Sequence, residues 1–193
     1  MPLSLLVIYG SVRTERQGIK AARFVVSQCE ARGHTVTLID PMVSQLPLLD
    51  KMYKEYPKGQ APEVLETLAA QIREADAIVI VSGEYNHSIP PALTNLLDHF
   101  LEEYFWKPSA IACYSAGPFG GVRAAMQLRA LLAEIGAPSI PTIYAIPSVQ
   151  DAFDDDGTAR DPEKHPKLIG KFLSELEWYA NALAKARASG VPY

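Results

Sequence analysis

The chain has 193 residues, of which 48% are hydrophobic and 21% charged, enough to bury one substantial core and, with no linker-like stretch, to form one domain over residues 1–193. Its formal net charge of −4 excludes the clustered basic composition by which nucleic-acid-binding domains are recognised, so no nucleic acid partner is expected. No apolar run approaches the ~20 residues of a membrane span, and Cys29 and Cys113 belong to no C-x-x-C pair, so the expectation is a soluble protein in a reducing, cytoplasmic setting with no membrane partner.

The opening MPLSLLVIYG has no basic stretch before its apolar run and no cleavage region after it, so Leu3–Tyr9 reads as a strand, not an export signal. A helix is expected over Gly18–Arg32 and a strand over Thr35–Ile39. The next stretch, DPMVSQLPLLDKMYKEYPKGQAP, is rich in proline and lysine and long for a connection, which suggests a mobile flap. Helix Glu63–Glu74, strand Ala77–Ser82, helix Ala92–Tyr104, strand Ser109–Tyr114, helix Val122–Ile135 and strand Ser139–Ala145 follow. Tyr104, Phe105 and Trp106 suit either a subunit interface or the chain's own core. DAFDDDGTARD lacks the full calcium-loop pattern and reads as a solvated turn, with no metal site, before a last helix at Pro166–Ala188. Short apolar runs alternating with amphipathic ones predict an α/β domain, doubly wound, with a five-stranded parallel sheet in three layers. In such a sheet ligands bind beyond the carboxyl ends of the strands, which directs attention to the loops after strands one, three and four.

The first loop, GSVRTERQG, places Arg13 and Arg16 at the positive end of a helix, where exposed cations are unfavourable by ~0.3–1 kcal/mol each. A phosphate monoester between the helix and the arginines resolves this conflict, with Ser11, Thr14 and Gln17 as further donors and Gly18 at the turn. The spacing is neither G-x-x-x-x-G-K-[ST] nor G-x-G-x-x-G. The second loop, SGEYNHSIPPALTNLLDHF, brings together Gly83, Glu84, Tyr85 and Asn86 before a proline-initiated helix. His87 stands near this rim without any Ser–His–Asp or Cys–His arrangement, so no catalytic residue is assigned. The third, YSAGPFGGVRAAMQLRALL, offers Ser115 and the glycines Gly117, Gly120 and Gly121, which let a backbone approach a flat ligand.

Taken together, GSVRTERQG, EYNHSIPPALTNLLD and SAGPFGGVRAAMQLRALLAEIGA resemble the NADPH-dependent FMN reductase family of flavodoxin-like proteins, over about the first 140 residues. The resemblance implies a sheet in flavodoxin-like order with FMN at its carboxyl edge, NADPH or NADH as electron donor, and a homodimer or homotetramer whose boundary lies beside the flavin. By that resemblance Ser11, Arg13, Arg16, Gln17 and Gly18 surround the FMN phosphate. Gly83, Glu84, Tyr85 and Asn86 line the isoalloxazine, and Ser115, Gly117, Gly120 and Gly121 lie near its other edge. Many relatives have serine and asparagine in place of Arg16 and Gly18, proline in place of Gly83, and glycine in place of Pro91. The implied activity is hydride transfer from NAD(P)H through FMN to a small-molecule acceptor: a quinone, an azo compound, free flavin or a metal oxyanion. The alternative on the same fold is an FMN-binding electron carrier or redox sensor that does not turn over NADPH.

Overall fold

A computed structural model describes all 193 residues. Five strands, β1 (Ser4–Tyr9), β2 (Thr35–Ile39), β3 (Ala77–Gly83), β4 (Ser109–Tyr114) and β5 (Ser139–Ile146), form one sheet in the order β2-β1-β3-β4-β5. Every neighbouring pair is parallel. Seven helices accompany them: α1 (Gly18–Ala31), α2 (Pro41–Ser44), α3 (Glu63–Glu74), α4 (Pro91–Asp98), α5 (Val122–Glu134), α6 (Val149–Ala152) and α7 (Lys164–Ala188). No helix is long and apolar enough to cross a membrane.

The central strands are continuous apolar runs because both of their faces are covered. Leu5, Val7 and Tyr9 of β1 and Val79 and Val81 of β3 point into one core with α1 and α7. Leu6 and Ile8 of β1 and Ile78 and Ile80 of β3 point into the other, with α3, α4 and α5. Successive residues thus feed opposite layers, as the two-residue period of a strand requires.

Two local expectations are corrected. Helix Ala92–Tyr104 is too long: α4 stops at Asp98, and a separate one-turn 3₁₀ helix occupies Glu102–Tyr104. The interruption coincides with His99, whose carbonyl accepts the Tyr53 N–H at 2.8 Å. The same bond helps to pin the stretch expected to be a mobile flap. Asn95 holds it as well, accepting the Leu49 N–H at 2.9 Å and donating to the Pro47 carbonyl at 2.8 Å. Tyr104 is buried in the chain's own core, while Phe105 and Trp106 pack edge-on against Tyr193. The aspartate-rich loop is fastened to α1 through a Lys20–Asp155 ion pair at 2.8 Å.

Phe153, from that loop, joins Phe24 and Tyr144 around His165, which is 4% exposed and lies 2.8 Å from the Tyr144 hydroxyl. Burial lowers the His165 pKa; the adjacent Lys164 adds to the effect and Asp161 opposes it. A group depressed in the folded state binds its proton more readily when unfolded. Its stabilising contribution is therefore present above the ordinary imidazole value and is lost as pH falls through the folded value. The unfolding free energy obtained from urea titrations is expected to fall as pH drops below ~6.5, by up to ~1.4 kcal/mol per pH unit from this residue. His165→Phe should flatten that part of the profile; an unchanged slope would exclude His165 as its source.

Candidate functional site

A cleft of about 270 Å³ opens above the carboxyl ends of β1, β3 and β4. It lies where the strand order reverses between β1 and β3, the switch point of a doubly wound sheet. The loop after β1 contributes Ser11, Arg13, Arg16, Gln17 and Gly18 to its wall, the end of β3 contributes Gly83, Glu84 and Tyr85, and the loop after β4 contributes Ser115. These nine residues come from the sequence-derived set of thirteen. The remaining four, Asn86, Gly117, Gly120 and Gly121, stand off the wall.

Each of those four has a local reason for its place. Tyr85 and Ser88 exchange both backbone hydrogen bonds, at 3.0 and 2.9 Å, closing a tight turn with Asn86 and His87 at φ 50° and 64°. Two left-handed residues in succession define the I′ type of turn and cost on the order of 1 kcal/mol or more apiece for non-glycine residues. Gln127 supports the turn, donating to the His87 carbonyl at 2.8 Å and accepting from the Ser88 hydroxyl at 2.7 Å. The Ser115 hydroxyl donates to the Gly117 carbonyl and accepts the Gly120 N–H, both at 2.9 Å, so that the third loop closes on itself. Gly121 precedes α5 at φ 78°, where a Cβ would stand 2.6 Å from the Tyr114 carbonyl oxygen.

Arg13 and Arg16 have different surroundings. The Arg16 guanidinium forms a bidentate pair with Asp40, donates to the Ser11 carbonyl at 3.0 Å and stacks 5.2 Å above the Tyr9 ring. Asp40 raises the Arg16 pKa through hydrogen bonding and charge. Asp40, which the sequence reading did not single out, thus answers part of the charge conflict at the start of α1. Arg13 is exposed at the cleft and makes no ion pair or side-chain hydrogen bond within the chain.

The helix ends at the cleft also differ. Glu84 Oε2 accepts the N–H groups of Arg123 and Ala124 at 2.9 and 3.2 Å, and the Arg123 guanidinium approaches the other carboxylate oxygen at 3.4 Å. The start of α5 is therefore already satisfied by an internal anion. At α1, Gln17 provides no side-chain cap and the first turn holds no acid. The backbone N–H groups of Thr14 to Gly18 find no partner within the chain. Ser11 Oγ and the Tyr85 hydroxyl, 2.7 Å apart, tie the first loop to the second beneath this open end.

Glu15, Tyr114, Ala116, Val149 and Gln150 also line the cleft, and sequence reasoning missed them. Tyr114 ends an apolar strand and reads as core, while Val149 and Gln150 show that the segment after β5 completes the rim.

The family model described as NADPH-dependent FMN reductase matches residues 3–151. The chain belongs to the NADPH-dependent FMN reductase family. It is 32% identical over 186 residues to an NAD(P)H-dependent FMN reductase of Pseudomonas aeruginosa, covering 94% of this chain and 97% of the relative. To a quinone reductase of Pseudomonas putida it is 31% identical over 181 residues, with 89% and 93% covered. Among solved structures it resembles the flavoenzyme NAD(P)H:(acceptor) oxidoreductase FerB from Paracoccus denitrificans, with a TM-score of 0.74 at 23% identity over 93% of this chain and 98% of that one. As a member of the NADPH-dependent FMN reductase family, this chain is an oxidoreductase, and the family's cofactors are FMN and NAD(P)H. Its sheet is the flavodoxin-like one, with strand order 2-1-3-4-5.

Proposed function

We propose that this chain binds FMN in the cleft, with the phosphate at the start of α1, and uses it to pass electrons from NAD(P)H to small acceptors of the quinone or azo class. The observation that carries this reading is the open start of α1 beside the unpaired Arg13, in contrast to the start of α5, which Glu84 closes. Unpartnered N–H groups and a free guanidinium are the donor set a phosphate monoester needs. The volume of about 270 Å³ lies just below the ~300–1,000 Å³ usual for small-molecule sites, so a flavin held there would stand partly outside the cleft.

FMN, when bound, supplies the redox chemistry, accepting two electrons with a hydride and passing them to an acceptor. The chain's own residues bind and orient. Arg13 and the N–H groups of the first loop hold the anionic tail, and the Ser11–Tyr85 pair fixes the two loops relative to each other. The backbone at Gly83 allows close approach to a planar group. No side chain is needed as acid or base in the hydride step itself, which accords with a site rich in donors and without an ordered nucleophile and base. We extend the reading to a homo-oligomer: Val43 and Leu48 are 80% and 85% exposed, and covering such apolar side chains favours association.

Anaerobic addition of NADPH and of NADH to the FMN-loaded protein is expected to bleach the visible flavin band with at least one of them, and a quinone should then restore it. Steady-state oxidation of the nicotinamide in the presence of a quinone should follow. A flavin that nicotinamide leaves oxidised would assign the chain to electron carriage or sensing and contradict the reductase reading.

A further inference from the structure

The Tyr114 ring reaches from the end of β4 across the end of β3 to the first residue of α1. A Cβ on Gly18 would lie 2.0 Å from Tyr114 Cζ and 2.3 Å from its hydroxyl, and one on Gly83 would lie 3.1 Å from each of those atoms. Position 18 cannot carry a side chain while this ring is in place. Arg16 stacks on Tyr9, whose hydroxyl lies 3.2 Å from that of Tyr114. The two glycines and the Arg16 guanidinium therefore meet at one pair of tyrosines.

We propose that the Tyr114 hydroxyl, which occupies the space a side chain on residue 18 would fill, donates a hydrogen bond to the phosphate of the bound flavin and thereby sets the preference of this site for a phosphorylated flavin over riboflavin. This rests on the flavin reading above. Tyr114 lines the cleft beside Gly18, whose N–H is among the unpartnered donors at the start of α1. Burial pushes the phenol well above its ordinary pKa, so it remains a neutral donor facing an anion. Tyr9 completes the arrangement. Its hydroxyl accepts from Tyr114 at present and, by rotating its proton, can donate to Tyr114 when Tyr114 donates to phosphate.

A ring serving only as filler would give the same packing, so the test removes the hydroxyl alone. In the full chain, Tyr114→Phe is expected to weaken FMN binding ~10-fold while leaving riboflavin binding within ~2-fold of wild type. Equal effects on both flavins, or no effect on either, would overturn the proposal. A second pair of variants tests the position independently of the ring. Gly18→Ser/Tyr114→Ala moves a hydroxyl from the strand to the helix and is expected to prefer FMN to riboflavin more strongly than Tyr114→Ala does. Failure to exceed Tyr114→Ala would count against a phosphate contact at this point. A wild-type chain that binds neither flavin would instead remove the reading on which the proposal rests.

Discussion

Asp40→Ala is expected to lower the unfolding free energy by about 3 kcal/mol. The Arg16 and Asp40 side chains are 15% and 14% exposed, so water screens their pairing poorly. Truncating one partner leaves the other charge largely buried, which is where breaking an ion pair costs most, ~3–5 kcal/mol for fully buried cases. Arg16 would retain only the Ser11 carbonyl and the Tyr9 ring face. Asp40 also accepts the Met42 N–H at 3.0 Å and so caps α2, a role worth ~1 kcal/mol at many helix starts. Asp40→Asn keeps an acceptor for that cap but loses the charge, and should fall between alanine and wild type. Urea unfolding of the three proteins measures both quantities, and a loss below ~1 kcal/mol for Asp40→Ala would show that Arg16 finds adequate solvation without its partner.

Arg13→Ala is expected to have the opposite profile, with little change in stability and a large change in cofactor affinity. Arg13 is exposed and has no internal side-chain partner, so its removal breaks nothing in the folded chain. Charge-assisted hydrogen bonds to a phosphate are worth ~1.5–3 kcal/mol, which converts to roughly 10–100-fold weaker FMN binding. Riboflavin, which lacks the phosphate, should be unaffected. The loss should also shrink as salt is raised, because the contact lies at an exposed rim. Unchanged FMN affinity in Arg13→Ala would exclude Arg13 from the phosphate site and leave the backbone N–H groups and the Tyr114 hydroxyl as its donors.

The strands were legible because each is an apolar run bounded by polar residues, and all five predicted strands differ from those observed by at most one residue at either end; β2 and β4 agree at both. The length of α4 was not legible. The bond from Tyr53 that draws the His99 carbonyl comes from 46 residues earlier in the chain, and helical periodicity carries no trace of it. The same holds at the site. GSVRTERQG announces an anion-binding loop by its composition, but the division of labour between Arg13 and Arg16 depends on Asp40, which lies 24 residues further along the chain and carries no local sign of that pairing. Glu84 looked like a ligand contact and also serves as the cap of α5, a contact spanning 39 residues. Tyr114 was hidden most completely, since an aromatic residue closing an apolar strand has the same local signature whether it fills a core or borders a cleft. Only the absent side chains at Gly18 and Gly83 marked it, and their meaning appears once the three residues are in contact.

Equilibrium dialysis of the stripped, full-length protein against FMN and, separately, riboflavin tests most directly whether the start of α1 holds a flavin phosphate. Retention of one FMN per chain, with riboflavin held at least ~10-fold more weakly, is the predicted result. Failure to retain FMN, or equal retention of the two flavins, would contradict it.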